Sequence, residues 1–183
     1  INRMASEDEK AGLLAKAAGL KKITLNARQI SDVELIAIGA VSPLTGFMNQ
    51  ADYEGTVHNM LLANGLPWSI PITLAVSAEV AAGLSAGEEV ALVDEAGTVI
   101  AIQTVGDVYG YDKKVEAENV YKTTEEAHPG VAAVYAQEDM LVGGDITVLY
   151  LPPHDDFPKY HLTPAESRAR FAELGWNTVV GFQ

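Results

Sequence analysis

The stretch Glu89-Val90-Ala91-Leu92-Val93-Asp94-Glu95-Ala96-Gly97-Thr98-Val99-Ile100-Ala101-Ile102-Gln103-Thr104-Val105 decides the fold. Two runs rich in β-branched and apolar residues, 89–94 and 98–105, flank Glu95-Ala96-Gly97, whose glycine supplies the positive φ that a short hairpin loop needs. Similar strands are expected at 70–76 and 145–151, with breaks at Ala86-Gly87 and Gly143-Gly144. Short strands at this spacing predict a small β-barrel or sandwich rather than a doubly wound sheet.

Helix-start chemistry surrounds this β-rich middle. Ser6-Glu7-Asp8-Glu9 and Ser31-Asp32-Val33-Glu34 both fit the capping box, in which a cap hydroxyl and a carboxylate three residues on satisfy free backbone N–H groups. Thr163-Pro164-Ala165-Glu166 adds proline at the first helical position. The helix that follows should run to Gly175, with Ala165, Ala169, Ala172 and Leu174 on or near one face. A further helix is expected from about Gln50 to Ala63, ended by Asn64-Gly65.

Leu151-Pro152-Pro153-His154-Asp155-Asp156-Phe157-Pro158 has three prolines and reads as a linker. After it come one capped helix and one apolar run, 177–183, with the character of a buried parallel strand. The expectation is two units: a domain over 1–153, then a linker and the truncated start of a second, α/β domain over 154–183. The chain would then be a fragment of a larger protein.

Of the 183 residues 48% are hydrophobic, 20% charged and 7% aromatic, as in an ordinary folded protein. Twelve Lys and Arg against 25 Asp and Glu leave a net charge of −13, and no Lys or Arg occurs between Arg28 and Lys113. Such a surface repels phosphate backbones and anionic membranes, so neither a nucleic-acid nor a membrane partner is expected. The absence of cysteine excludes disulfides, thiol nucleophiles and Cys-based zinc sites. No apolar run approaches the roughly 20 residues of a membrane span. No secretory signal is legible, and the expected location is cytoplasmic.

Few residues have the pattern of an active site. His58, His128, His154 and His161 lack metal-ligand spacing, and His154 and His161 read as surface residues, so no metal site is expected. There is no P-loop and no dinucleotide fingerprint. Val142-Gly143-Gly144-Asp145 reads as a turn before a strand, the alternative being a set of backbone N–H groups for an anion. The carboxylate pairs Glu88-Glu89, Asp94-Glu95, Glu125-Glu126 and Glu138-Asp139 are adjacent rather than convergent and read as a solvated acidic face.

The loop Gly39-Ala40-Val41-Ser42-Pro43-Leu44-Thr45-Gly46-Phe47-Met48 is more specific. Pro43 and Gly46 set a tight turn while Leu44, Phe47 and Met48 offer apolar groups for docking. Its wording closely resembles the sulfate adenylyltransferase (ATP sulfurylase) family. So do Trp68-Ser69-Ile70-Pro71-Ile72-Thr73-Leu74, Tyr111-Asp112-Lys113, Tyr121-Lys122-Thr123-Thr124, His128-Pro129-Gly130-Val131, Val142-Gly143-Gly144-Asp145 and Trp176-Asn177-Thr178-Val179-Val180-Gly181-Phe182-Gln183, in family order.

The resemblance implies a mixed α+β architecture: an N-terminal PUA-like β-barrel domain with flanking helices, followed by the first helix and strand of a Rossmann-like catalytic domain. It implies that the intact enzyme, expected to be a homo-oligomer, joins sulfate to Mg-ATP to give adenosine 5′-phosphosulfate and pyrophosphate. Gln183 matches the glutamine opening the family's Gln-x-Arg-Asn motif and is the expected sulfate and ATP contact. No catalytic residue is expected within 1–183, so this fragment alone should be inactive and bind no cofactor. The alternatives are a structural or oligomerisation domain without a ligand of its own and, by fold analogy, a PUA-like RNA-binding module, which the negative charge disfavours.

Overall fold

The stretch 89–105 forms the expected hairpin in the computed structural model, which describes residues 1–181. Strand β4 (Glu89–Val93) pairs antiparallel with β5 (Val99–Thr104). The Asp94 side chain closes the loop by accepting from the Thr98 N–H at 2.7 Å. The two faces of β4 serve different cores. Val90 and Leu92 join the main apolar cluster with Ile23, Leu25 and Ile36, whereas Ala91 and Val93 pack with Ala17 and Leu13 of the first helix, α1 (Glu7–Ala17). A strand buried on both faces explains the near-continuous apolar run.

The remaining elements in chain order are β1 (Lys21–Thr24), α2 (Ala27–Ala37), β2 (Gly46–Phe47), α3 (Gln50–Asn59), β3 (Ala75–Val76), α4 (Ala78–Ala82), β6 (Asp107–Gly110), α5 (Lys113–Glu116), α6 (Pro129–Tyr135), β7 (Met140–Val148) and α7 (Pro164–Glu173). A π-helical turn follows α5 at Ala117–Tyr121. The strand order is β1-β4-β5-β7-β2, with β1 parallel to β4 and the other pairs antiparallel. Strand β7 also pairs with β3 and β6, so the sheet curls round this strand into a half-barrel within a mixed α/β fold.

Several expectations need correction. Gly143-Gly144 is not a turn before a strand; it lies inside β7, which begins at Met140 and ends at Val148. These glycines are demanded by close crossing. Gly144 has φ 142°, and a Cβ there would stand 2.1 Å from the Thr104 carbonyl oxygen; one on Gly46, in the facing strand, would stand 1.9 Å from the Gly144 oxygen. Strand 70–76 shrinks to Ala75–Val76.

Helix α2 starts not after Ser31 but at Asn26, which forms the capping box with Gln29. Each backbone N–H of the pair meets the other's side-chain oxygen at 2.9 Å. Ser31 sits mid-helix and donates to the Ala27 carbonyl, because the apolar period of Val33, Ile36 and Ala37 extends back into the turn that Asn26 already caps. Helix α3 ends at Asn59 rather than Ala63, stopped by Met60 in the left-handed conformation.

The capping boxes of α1 and α7 form as read. The Glu9 carboxylate accepts from the Ser6 hydroxyl and N–H, and that of Glu166 from the Thr163 N–H at 2.8 Å and hydroxyl at 2.7 Å. These bonds hold both carboxyls below their ordinary range. The expected face of α7 is not buried, since Ala165, Ala169, Ala172 and Leu174 are all exposed while Pro164, Ser167 and Phe171 are half-buried. Residues 177–181 form no strand, having no ladder partner among the described residues, and the Rossmann-like start is not seen there.

Candidate functional site

Gln183, the one expected substrate contact, lies outside the described residues. What leads up to it is described. The linker from Leu151 runs without regular structure to a short 3-10 turn at Pro158–Tyr160 and then α7. His154 ties the linker to the barrel, its Nε2 lying 2.5 Å from Glu34 Oε1 on α2. Its ring stacks on that of His161 at 4.6 Å between centroids, so the two histidines read as surface residues do lie at the surface but are paired. A cavity of about 420 Å3 separates Met4, Ile38, Ser42 and Leu151 from Pro164 and Arg168 on α7. Beyond it Leu174, Trp176, Val179 and Val180 expose apolar surface.

The loop 39–48 docks as read, with Leu44, Phe47 and Met48 all buried. Thr45 Oγ1 donates to Asp145 Oδ1 at 2.5 Å, linking this loop to β7 beside the glycine crossing. His128 caps α6, its Nδ1 accepting from the Gly130 N–H at 3.1 Å. His58 is exposed at the end of α3. Among the described residues no group of His, Asp and Glu has the arrangement of a metal site, and no helix is long and apolar enough to cross a membrane.

The acidic pairs behave as a solvated face with isolated partners: Glu89 meets Lys16 from the last turn of α1 and Glu88 meets Lys21 from β1, while Asp139 meets Lys113 at 2.7 Å. Lys10, Arg28 and Arg170 likewise each face a carboxylate. These cations are spread over separate elements and do not converge on a point where two anionic reactants could meet.

A polar cluster in the interior escaped the reading of the sequence. Glu116, 4% exposed, accepts from the Tyr53 hydroxyl at 2.8 Å, and Tyr53 packs against the rings of Tyr109 and Tyr111 at 5.7 and 5.8 Å. The Tyr109 hydroxyl donates to the Met48 carbonyl at 2.7 Å and that of Tyr111 to the Glu138 carbonyl at 2.9 Å. Burial pushes the Glu116 carboxyl up, against the Tyr53 hydrogen bond and the Arg28 charge; burial and then Glu116 push the Tyr53 hydroxyl up. Asp32 is 8% exposed; burial raises its carboxyl to about 6, with Arg28 pulling the other way. Its Oδ2 has no hydrogen-bond partner, the Arg28 Nε standing 3.9 Å away. With its three tyrosine hydroxyls engaged and Glu116 enclosed, the cluster holds α3, β6 and α5 together rather than presenting a reactive group to a substrate. Only a map of contacts could have found it, because Tyr53 and Glu116 are 63 residues apart.

The comparisons with known proteins agree with this division. Sulfate adenylyltransferases of Acaryochloris marina and Synechocystis sp. are each 50% identical to this chain, and that of Nostoc punctiforme 49%, over all 183 residues. The chain spans about half the length of these curated relatives, 47% in each case. A solved structure described as a hexameric APS kinase from Thiobacillus denitrificans superposes with a TM-score of 0.72 at 30% identity, covering 96% of this chain and 30% of that one. The family profile described as a PUA-like domain matches residues 1–151, which contain the whole curled sheet and stop where the proline linker begins. On that match, covering most of its length, the chain belongs to the PUA-like domain family.

Proposed function

We propose that this chain is the PUA-like part, residues 1–153, and the start of the catalytic part, residues 154–183, of a sulfate adenylyltransferase. The observation that carries the reading is the overall identity of about 50% to enzymes of that name, in matches that span all 183 residues and so include the tail after the linker. In the intact enzyme a sulfate oxygen attacks the α-phosphorus of Mg-ATP. The new bond joins that oxygen to phosphorus, the bond from the α-phosphorus to the bridging oxygen breaks, and pyrophosphate leaves with the electron pair. Both reactants are anions, so the rate depends on holding them in line and neutralising charge.

The role assigned to Gln183 is a neutral amide contact to sulfate and nucleotide. The curled sheet supports that site and helps form a homo-oligomer; the structural relative, described as a hexamer, supports the second role. The location proposed is cytoplasmic.

In the full-length enzyme, Gln183→Ala should lower kcat/KM for sulfate by at least about tenfold, the loss of roughly one good hydrogen bond to a charged group. Unaltered KM and kcat would remove the residue from the site. Residues 1–183 alone should show no sulfate-dependent exchange of pyrophosphate into ATP; measurable exchange would overturn the placement of the catalytic groups outside this stretch.

A further inference from the structure

Between the start of α2, the segment leading into β3 and the end of α6 lies a hollow of about 360 Å3, lined by Arg28, Gln29, Thr73, Ala133, Ala136 and Gln137 among others. Its wall is tied in place. The Gln29 side chain, 7% exposed, accepts from the Asn26 N–H at 2.9 Å and donates to the Ala75 carbonyl at 3.1 Å. The Gln137 N–H donates to the Val134 carbonyl at 3.2 Å, and the Gln137 carbonyl accepts from the Lys113 ammonium. Acceptors and donors in this wall are unevenly spent. The side-chain oxygens of Asn26 and Gln29 each accept from the other's backbone N–H. Gln137 Nε2, by contrast, is buried with no hydrogen-bond partner. Arg28 Nε stands 3.9 Å from Asp32 Oδ2, beyond hydrogen-bond reach, and that oxygen has no partner either. Thr73, only 5% exposed, adds a hydroxyl. Buried polar groups are hydrogen-bonded as a rule, so an unspent buried amide beside a guanidinium calls for an acceptor.

The donor set also selects the kind of acceptor. A guanidinium offers two parallel N–H groups that match the two oxygens of a planar carboxylate. With Asp32 already beside Arg28, the local cation can offset one further negative charge but not the two of a sulfate dianion. The alanine methyl groups of Ala27, Ala133 and Ala136 suit the hydrocarbon that a carboxylate carries. We propose that this hollow is a carboxylate-binding site, in which Arg28 pairs with the carboxylate and Gln137 Nε2 donates to it. The carboxylate has two sources, a free small monocarboxylate or an Asp or Glu of the remainder of the protein, since the chain spans 47% of its relatives. The described stretch after the linker is not that source. It meets the other end of α2, where Ile38 and Leu151 face Pro164 and Arg168, and the 11 residues of α2 put about 16 Å between the two ends. The net charge of −13 opposes every anion, which places the expected affinity for a free carboxylate in the millimolar range. The site does not depend on the sulfate adenylyltransferase reading.

Titration of the full-length protein with butyrate labelled with carbon-13 at the carboxyl, followed by the width and position of that resonance, tests it, with butyramide and sulfate at matched ionic strength as controls. Butyrate should bind and butyramide should not. Arg28→Met should weaken butyrate by at least about tenfold, and Gln137→Met, which keeps the volume and removes the donor, by about fivefold. If either variant fails to give the wild-type circular dichroism, Arg28→Lys carries the test, with an expected weakening of about threefold from the loss of the paired N–H groups. Where the full-length protein ignores butyrate but residues 1–183 bind it with the same dependence on Arg28 and Gln137, the site stands and its carboxylate comes from the remainder of the protein. Butyrate that binds neither, or that binds indifferently to both substitutions, overturns the site. Sulfate that binds more tightly than butyrate with the same dependence on Arg28 overturns the assignment to carboxylates.

Discussion

Replacing Asp32 by Asn should make the chain more stable at neutral pH, and the gain should depend on pH in a defined way. Asp32 is almost wholly buried, one of its oxygens has no hydrogen-bond partner, and its single nearby cation is Arg28 at 3.9 Å. Burial therefore outweighs the ion pair, and the carboxyl titrates near 6 in the fold against an ordinary 3.8. The folded state holds the proton more tightly than the unfolded chain. Its contribution is fully present below about pH 3.8 and is lost as pH rises through about 6, a total of about 3 kcal/mol. Asn mimics the protonated form at every pH. Integrating the linkage between pH 4.5 and pH 8, the stability of Asp32→Asn relative to wild type should rise by about 2 kcal/mol. Any cost of burying the amide without partners is the same at both pH values and drops out of this difference. Urea unfolding followed by circular dichroism at fixed ionic strength measures it. A difference that is constant with pH, or that shrinks as pH rises, would refute the argument and show that Arg28 compensates the charge in full.

Three other outcomes follow from the packing. Tyr53→Phe removes the hydroxyl 2.8 Å from Glu116 and should cost about 1–3 kcal/mol, more at pH 8 than at pH 5 because the bond favours the ionised carboxyl; urea titrations at the two pH values would show it. Gly144→Ala should be severely destabilising, by more than about 3 kcal/mol, since its Cβ meets the Thr104 carbonyl at 2.1 Å at a positive φ. Gly97→Ala, with the same sign of φ but open space, should cost only about 1 kcal/mol, and equal melting temperatures for the two variants would contradict the crossing. Thr163→Ala removes the cap of α7 and should speed amide exchange in α7 by roughly fivefold, the effect of about 1 kcal/mol, with exchange in β4 and β5 unchanged; equal acceleration in both regions would mean that α7 and the barrel unfold together.

Elements defined by short-range chemistry were legible in the sequence. The β4–β5 hairpin was, because Asp94 to Gly97 settles its turn within four residues, and so were α1 and α7, whose caps are local. Elements created by distant partners were not. Strand β1, Lys21–Thr24, has two lysines among four residues and exists because Val90–Val93 offers it a parallel edge. Strand β2 is only Gly46–Phe47, held by β7 about a hundred residues on. Gly143-Gly144 misled because glycine serves a turn and a close crossing equally well, and only the carbonyls of Thr104 and Met48 distinguish the two. The candidate site divides in the same way. The match of Gln183 to a family motif was visible, whereas the contact of Tyr53 with Glu116 had no local signal.

The charge of the chain, at odds with the anionic substrates proposed, falls almost entirely on one side of the proline linker. Of the 25 acidic and 12 basic residues, 21 and 9 lie within 1–153, so that part carries −12 and residues 154–183 only −1. Within the barrel the cations are spent locally, with Lys16 and Lys21 against Glu89 and Glu88, Lys113 against Asp139, and Arg28 beside the one buried aspartate. At physiological salt a field of this kind decays over roughly 8 Å, so an anion site displaced from the barrel by more than that is barely opposed by it. An acidic support and an anion-binding site are thus compatible in one protein provided that they are separated in space. The His154–Glu34 contact and the cavity beneath α7 lie where the barrel meets the stretch after the linker.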